Sequence, residues 1–197
     1  MNLLLATGNS HKAEEFASLL KSDVISVKAA PEKIDVVEDG DTFIENAQKK
    51  AEAYFLKYKQ PVFSDDSGLV VASLPGELGV HTARFGGDEL SAKERNELLI
   101  KMLEGKSAEE RSAYFVCVLC FYLNDNETFF FEGRLNGKIA SRISGADGFG
   151  YDPVFIPEGG NGEETLAEMP KWKEVHSHRA LACQHALTFF KERVGQN

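Results

Sequence analysis

Two adjacent carboxylates, Asp65 and Asp66, stand between apolar runs in the sequence PVFSDDSGL. Val62 and Phe63 predict a short buried strand, and Gly68 is expected to allow the sharp turn that ends it. Neighbouring carboxylates between buried segments are costly unless a positive partner meets them. A divalent cation would do so, or one carboxylate would deprotonate a water molecule. A plain Asp-Ser-Gly turn is the alternative, because these residues are common turn formers.

A second candidate site follows a short apolar run near the N-terminus, in the sequence TGNSHK over residues 7–12. A strand, a glycine turn and a helix start, which Asn9 or Ser10 can cap, present backbone N–H groups to an anion. Lys12 would oppose the helix dipole unless an anion lies nearby. We interpret the segment as a phosphate site, with a solvated surface lysine as the alternative. It lacks the second glycine of the Walker pattern.

A long helix is predicted over residues 42–58, and a capping box of Thr42 and Glu45 opens it. Lys50 lies on the apolar stripe of this helix, where a lysine either reaches out to solvent or binds an anion. Two strand-like runs over 114–123 and 128–135 follow later and predict a hairpin across the middle of a sheet.

The segment SGADGFGYDPVF, residues 144–155, combines glycines with aromatic side chains. Its glycines let the backbone approach a ligand closely, and Phe149 or Tyr151 could stack on a flat ring. Asp152 precedes a proline, which favours an extended backbone. A glycine-rich turn between strands is the alternative.

A final helix is predicted after Ser177, which is a good cap. His178 and Arg179 then lie in its first turn, where they oppose the helix dipole unless an anion is present. His176 and His178 lack a third partner at a spacing that would indicate a metal site.

Composition limits the classes of function. The chain has 197 residues, which suits one domain or one domain in two lobes. Its net charge of −9 and the absence of a Lys/Arg-rich run argue against a nucleic-acid polymer as partner. No apolar stretch is long enough to span a bilayer. The cysteines Cys117, Cys120 and Cys183 form no disulfide framework and are expected in the core, which favours a reducing cytoplasm.

Together these residues indicate a binding site for a nucleoside triphosphate. Such a ligand needs cations for phosphates, carboxylates for a metal and a ring platform for the base. The candidates are the cations Lys12, Lys50, Lys173, His178 and Arg179, the carboxylates Glu38, Asp65 and Asp66, and the ring of Phe149.

The motifs TGNSHK, TFIENA, DDSGL, GFGYDPVF and SHR occur in this order along the chain. In this the chain resembles the inosine triphosphate pyrophosphatase family, the non-canonical purine NTP pyrophosphatases. The resemblance implies an α/β fold over residues 1–197, in which helices flank a long curved mixed sheet and a cleft separates two lobes. It also implies a homodimer that uses Mg²⁺ to hydrolyse ITP, dITP or XTP to the monophosphate and pyrophosphate.

The same resemblance assigns roles to individual residues. It makes Asp66 a metal ligand and the general base, Glu38 a second metal ligand, Ser67 a substrate contact and Lys50 a lysine of the cleft. The triphosphate loop consists of Thr7, Gly8, Asn9, Ser10, His11 and Lys12. The base and phosphate contacts are Phe149, Gly150, Tyr151, Asp152, Lys173, His178 and Arg179.

The chain departs from the family pattern around Lys173, where it reads Trp-Lys-Glu instead of Glu-Lys-Asn, so the role of that lysine stays open. Two rival functions also remain. A related pyrophosphatase would prefer pyrimidine or modified nucleotides. A non-catalytic nucleotide-binding module would keep Lys12 and the helix cap but would not need Asp66 or Glu38.

Overall fold

The computed structural model describes residues 1–195, in which α-helices and β-strands are interspersed along the chain. In chain order these are β1 (Asn2–Ala6), α1 (Ser10–Leu19), β2 (Ser26–Ala29), α2 (Phe43–Tyr58), β3 (Val62–Val71), α3 (Ala92–Met102), β4 (Ser112–Asn124), β5 (Glu127–Ile139), β6 (Phe155–Pro157), α4 (Pro170–His176) and α5 (His178–Gly195). Short 3₁₀ helices cover Gly79–Arg84 and Asp152–Val154. No helix within residues 1–195 is both long and apolar enough to cross a membrane.

The strands form one sheet in the order β2-β1-β3-β4-β5-β6. Strand β1 is parallel to β2 and to β3, whereas β5 and β6 are antiparallel, so the sheet is mixed as predicted. Only Asp125 and Asn126 separate the neighbouring strands β4 and β5, which confirms the predicted hairpin. The pairing of Ala6 with Ser64 brings the end of β1 beside the carboxylates of β3.

The helix starts follow the sequence signals. Asn9 caps α1, with its side chain accepting a hydrogen bond from Lys12 N at 3.2 Å. Thr42 and Glu45 form the predicted capping box of α2. Helix α5 begins at His178, so His178 and Arg179 lie in its first turn as predicted.

The turn predicted at Gly68 is wrong. Strand β3 continues without interruption from Val62 to Val71. Gly68 is not among the described glycines with positive φ. Lys12 and Ser67 meet the Asp65 carboxylate within the strand, so it needs no turn to reach a polar partner.

The chain divides into two compact units, each with its own core. The first unit comprises Met1–Ser67, Cys117–Gly133 and the segment from His178 onward. Its core includes the rings of Phe16, Phe63, Phe121 and Phe190 and the predicted buried thiols of Cys117 and Cys183.

The second unit comprises Gly68–Val116 and Arg134–Ser177. Its core includes Leu69, Leu99, Phe115 and Phe155. The predicted curvature of the sheet, the two lobes and the cleft stay predictions.

Candidate active site

A buried network in the first unit is centred on Asp65. Lys12 Nζ, from the first turn of α1, donates to Asp65 Oδ2 at 2.7 Å. Ser67 Oγ donates to the same oxygen at 2.6 Å. Lys50 Nζ, from α2, donates to the Asp65 backbone carbonyl at 3.0 Å. Three predicted substrate contacts from three different elements therefore meet at one residue.

Lys50 also connects this network to Glu38. Its Nζ lies 2.8 Å from Glu38 Oε2. Burial lowers the pKa of Lys50, but Asp65 and Glu38 outweigh this effect, and the pKa lies above its ordinary value. The lysine on the apolar stripe of α2 therefore binds anionic partners, which was one of the two alternatives for it.

Asn46 holds the segment around Glu38 against α2. The Asn46 side chain is buried and accepts a hydrogen bond from Gly40 N at 2.8 Å, and its amide group donates to Gly40 O at 3.3 Å. A Cβ atom on Gly40 would lie 2.8 Å from Asn46 Oδ1, so this close approach requires glycine. Asn46 lies within the TFIENA motif, but nothing in that sequence pattern indicates this role.

Asp66 differs from Asp65 in its electrostatic environment. Burial raises the pKa of Asp66 to about 6, against the opposing charges of Lys50 and Lys12. Its Oδ1 accepts a hydrogen bond from Ser67 N at 3.0 Å, whereas its buried Oδ2 has no hydrogen-bond partner. Burial also disfavours the charge on Asp65, but Lys12 and Lys50 outweigh it and hold the pKa of Asp65 below its ordinary range. Adjacent carboxylates whose pKa values are pushed apart can serve different roles, and the one near neutrality suits a general base.

The predicted triphosphate loop connects β1 to α1. Thr7 Oγ1 accepts a hydrogen bond from Asn9 N at 3.1 Å, which orders the turn, and residues 8–11 are exposed. The first turn of a helix has backbone N–H groups that lack helical acceptors. An anion at this loop would find such donors next to Lys12.

A second cluster lies in the second unit. Asp152 Oδ2 accepts hydrogen bonds from Phe149 N and from Lys173 Nζ, both at 2.8 Å. Lys173 Nζ also lies 4.8 Å from the centroid of the Phe149 ring. A Cβ atom on Gly148 would lie 2.2 Å from Asp152 Oδ2, so the motif needs glycine there. Two predicted substrate contacts, Asp152 and Lys173, thus form a buried ion pair.

Tyr151 belongs to the core of the second unit. The residue is only 6% exposed, and its hydroxyl donates to Thr82 O at 2.9 Å. Burial raises the pKa of Tyr151 to about 12. The Tyr151 ring is therefore part of the core and has no face open to a base. Phe149, which is half-buried, is the better of the two predicted stacking residues. Gly150 is also held in place within the second unit, because its carbonyl accepts a hydrogen bond from Asn96 Nδ2 at 3.0 Å.

His178 and Arg179 lie buried at the start of α5, in the first unit. Arg179 Nη1 donates to Glu15 Oε2 at 3.1 Å. A Cβ atom on Gly133 would lie 2.1 Å from the His178 carbonyl oxygen, so strand β5 and the start of α5 approach each other closely. This contact fixes the position of His178 and Arg179 within their unit.

The predicted site residues thus fall into two clusters. The first unit holds Thr7, Gly8, Asn9, Ser10, His11, Lys12, Glu38, Lys50, Asp66, Ser67, His178 and Arg179, and the second holds Phe149, Gly150, Tyr151, Asp152 and Lys173.

The predicted metal ligands Glu38 and Asp66 do not form a complete cage. Over residues 1–195, no three His, Cys, Asp or Glu side chains are grouped so that they could hold a metal ion. Mg²⁺, however, is often held by one or two carboxylates together with water and substrate phosphates. The unpartnered Asp66 Oδ2 offers such a ligand, and Glu38 lies close enough to raise the pKa of Asp66. The donor set fits an ion that binds together with a triphosphate.

Comparison with known proteins gives matches along nearly the full chain. Residues 3–189 match the model of the Ham1 family. A dITP/XTP pyrophosphatase of Geobacillus kaustophilus is 41% identical, and the alignment covers 98% of this chain and 96% of that protein. Two solved structures, a Ham1 protein of Staphylococcus aureus and a HAM1 protein of Coxiella burnetii, are each 34% identical, with TM-scores of 0.85 and 0.88. Both alignments cover 98% of this chain and 100% or 99% of the other.

Proposed function

Because the chain belongs to the Ham1 family, we propose that it hydrolyses non-canonical purine nucleoside triphosphates, such as dITP, ITP and XTP, to the monophosphate and pyrophosphate. Relatives that carry the name dITP/XTP pyrophosphatase support this activity at 38–41% identity. The observation in the structure that supports it best is Asp66, a buried carboxylate with an unpartnered oxygen, a pKa of about 6 and lysines nearby.

Asp66 is the general base in this proposal. A carboxylate with a pKa of about 6 is ionised at neutral pH yet retains more basicity than an exposed aspartate. It orients and deprotonates the water molecule that attacks the α-phosphorus, and pyrophosphate leaves. The part of the chain that the structure describes places no reactive cysteine beside it: burial raises the pKa values of Cys117 and Cys120 to about 12. Direct attack by water is therefore preferred over a covalent intermediate.

Lys12 and the loop from Thr7 to His11 hold the triphosphate tail. The amide groups at the start of α1 bind phosphate oxygens, and the Lys12 ammonium adds the charge that a helix start alone lacks. Lys50 and Ser67, which share Asp65 with Lys12, contact the same tail.

Glu38 and Asp66 would hold a Mg²⁺ ion. When bound, the ion supplies positive charge that stabilises the phosphate oxygens and the pyrophosphate leaving group. Asn46 contributes indirectly, because its hydrogen bonds to Gly40 keep the Glu38 segment in place.

Base recognition falls to the remaining residues. The Phe149 ring stacks on the purine, and the Asp152–Lys173 pair fixes the Phe149 backbone and lies beside its ring. His178 or Arg179 donates a hydrogen bond to the 6-oxo group that hypoxanthine and xanthine share. Adenine carries an amino donor at this position, so two donors would face each other.

We further propose that the enzyme is a homodimer and acts in the cytoplasm on the nucleotide pool. The buried free cysteines support a reducing compartment. The homodimer rests on the family resemblance alone.

One experiment tests the reaction and its alternatives. The protein is incubated with ITP, dITP, XTP, ATP, GTP and dUTP, with and without Mg²⁺, in isotopically labelled water. We expect ITP to give IMP and pyrophosphate by phosphorus NMR, with the label in IMP, because water attacks the α-phosphorus. IDP as the first product, or label in pyrophosphate, would contradict this attack. Preference for dUTP would favour the pyrimidine alternative, and binding without turnover would favour the non-catalytic module.

A further inference from the structure

We propose that Asp65 is a positioning residue, which holds Lys12 and Ser67 ready for the triphosphate, and is not a second base. The inference rests on the proposed function, because these two residues matter only if a polyphosphate binds at the loop. It assigns a role to the first carboxylate of the DDSGL motif.

The geometry places both substrate contacts on one oxygen. Asp65 Oδ2 accepts from Lys12 Nζ at 2.7 Å and from Ser67 Oγ at 2.6 Å. The Asp65 side chain is 1% exposed, whereas that of Lys12 is 18% exposed, so the lysine is the member of the pair that water or a ligand can reach. An ammonium has three donors, and one is used here, so two remain for phosphate oxygens.

Asp65 also compensates an unfavourable position in the helix. Lys12 lies in the first turn of α1, where the helix dipole repels a cation. Without a nearby anion, a long lysine side chain would turn towards solvent and sample many rotamers. The ion pair instead fixes the ammonium beside the loop before the substrate arrives. Only the fraction of molecules with Lys12 in place binds tightly, and Asp65 keeps this fraction high.

A role as base fits Asp65 less well. Its carboxylate is already paired with a cation, because Oδ2 accepts hydrogen bonds from the Lys12 ammonium and from Ser67, and this pairing makes Asp65 a weaker proton acceptor than Asp66. The other oxygen, Oδ1, is buried and has no hydrogen-bond partner. An asparagine at this position would keep the shape of the side chain and remove its charge, at the cost of an amide group buried where no acceptor is present.

The two possible effects of Asp65 on anion binding have opposite signs. Removing a negative charge makes the site more positive, so a purely electrostatic role predicts tighter binding of polyphosphate to Asp65→Ala. A positioning role predicts weaker binding, because Lys12 loses its anchor. Binding of inorganic tripolyphosphate, measured by calorimetry in EDTA, therefore separates the two without any dependence on metal or catalysis.

We expect Asp65→Ala to weaken tripolyphosphate binding by roughly tenfold, with Asp65→Asn intermediate. With ITP and Mg²⁺, KM should rise by a similar factor while kcat falls only a few-fold, because Asp66 remains in place. In a Lys12→Met background, Asp65→Ala should add less than about threefold, because its effect acts through Lys12. The matched control is Glu32→Gln, which breaks the exposed 2.6 Å pair with Lys57 and should leave both measurements unchanged.

Three results would overturn the inference: tighter tripolyphosphate binding by Asp65→Ala, a loss confined to kcat, or an equal effect of Asp65→Ala with and without Lys12. If Asp65→Ala alone does not fold, the double variant still decides, because it removes both charges of the buried pair. Its KM should then match that of Lys12→Met. Absence of ITP hydrolysis by the wild type would refute the proposed function, whereas the tripolyphosphate comparison would still test the role of Asp65.

Discussion

The substitution Asp66→Asn should stabilise the metal-free protein at neutral pH and lose this advantage in acid. Burial raises the pKa of Asp66 from an ordinary value of 3.8 to about 6 in the folded protein. The folded state therefore holds the proton more tightly than the unfolded state. The stability that this proton contributes is fully present below pH 3.8 and is lost as the pH rises through about 6.

The size of the effect follows from this shift. A change of about two pKa units corresponds to about 3 kcal/mol of unfolding free energy above pH 6. Asparagine carries no charge, so the cost of burying a charged carboxylate is absent in the variant. Its amide group has its own cost, because it would replace the unpartnered Asp66 Oδ2, but that cost is the same at every pH. We therefore compare the variant with the wild type at about pH 4 and about pH 7.5, where the two stability differences should differ by about 2 to 3 kcal/mol.

The assay is urea unfolding in EDTA, followed by circular dichroism and by the fluorescence of Trp172, the one tryptophan of the chain. Asp65→Asn is the matched control with the opposite sign. Burial opposes the charge on Asp65, but Lys12 and Lys50 hold its pKa below the ordinary value of 3.8, so this variant should be less stable than the wild type by nearly the same amount at about pH 7.5 and at about pH 4, and approach it only at pH values well below 3.8. If the stability difference of Asp66→Asn were the same at both pH values, the carboxylate would not be buried in charged form, and the reasoning would fail.

Other predictions concern activity, base choice, packing and assembly. Asp66→Asn should still bind ITP but lose turnover by ~10²- to 10⁴-fold, and steady-state kinetics within a few-fold of wild type would move the base elsewhere. Arg179→Ala should lower the ratio of kcat/KM for ITP to kcat/KM for ATP, because one buried donor mismatch is worth roughly 5- to 150-fold. Phe149→Ala should lower kcat/KM for both substrates by the same factor. An unchanged ratio in Arg179→Ala would leave backbone amides as the next candidates. Tyr151→Phe should leave KM for ITP unchanged and lower thermal stability by ~1 kcal/mol, because only the hydrogen bond to Thr82 is lost; a raised KM would return Tyr151 to the substrate contacts. Sedimentation should give a homodimer, and a single 21.8 kDa species would contradict it.

Local signals in the sequence predicted the helices and the hairpin well. The capping box of Thr42 and Glu45 and the apolar stripe at helical spacing define α2 through residues that lie close to each other in the sequence. The same local reasoning failed at Gly68. The Asp65 carboxylate meets Lys12 within the strand, and because Lys12 lies 53 residues away, turn propensities do not include such a contact.

The candidate site shows the same limit. Sequence motifs picked out Asp152 and Lys173 as ligand contacts, but their pairing with each other depends on the second unit being folded. The choice between Phe149 and Tyr151 depended on which ring the core takes up. Asn46 was overlooked because its role is to accept and donate hydrogen bonds to the backbone of Gly40, which no pattern of side chains reveals.

The division of the chain into units has a consequence for how the protein is made. The first unit needs Met1–Ser67, but it also needs the segment that begins at His178, which is synthesised after the whole of the second unit. That segment supplies Cys183, Ala186 and Phe190 to its core. The second unit has all its residues once Ser177 has been synthesised. During translation the second unit can therefore complete its core first. The unit that holds Lys12, Asp65 and Asp66 is complete only after α5 has been synthesised. A message truncated before α5 would yield a chain whose first unit lacks these core side chains.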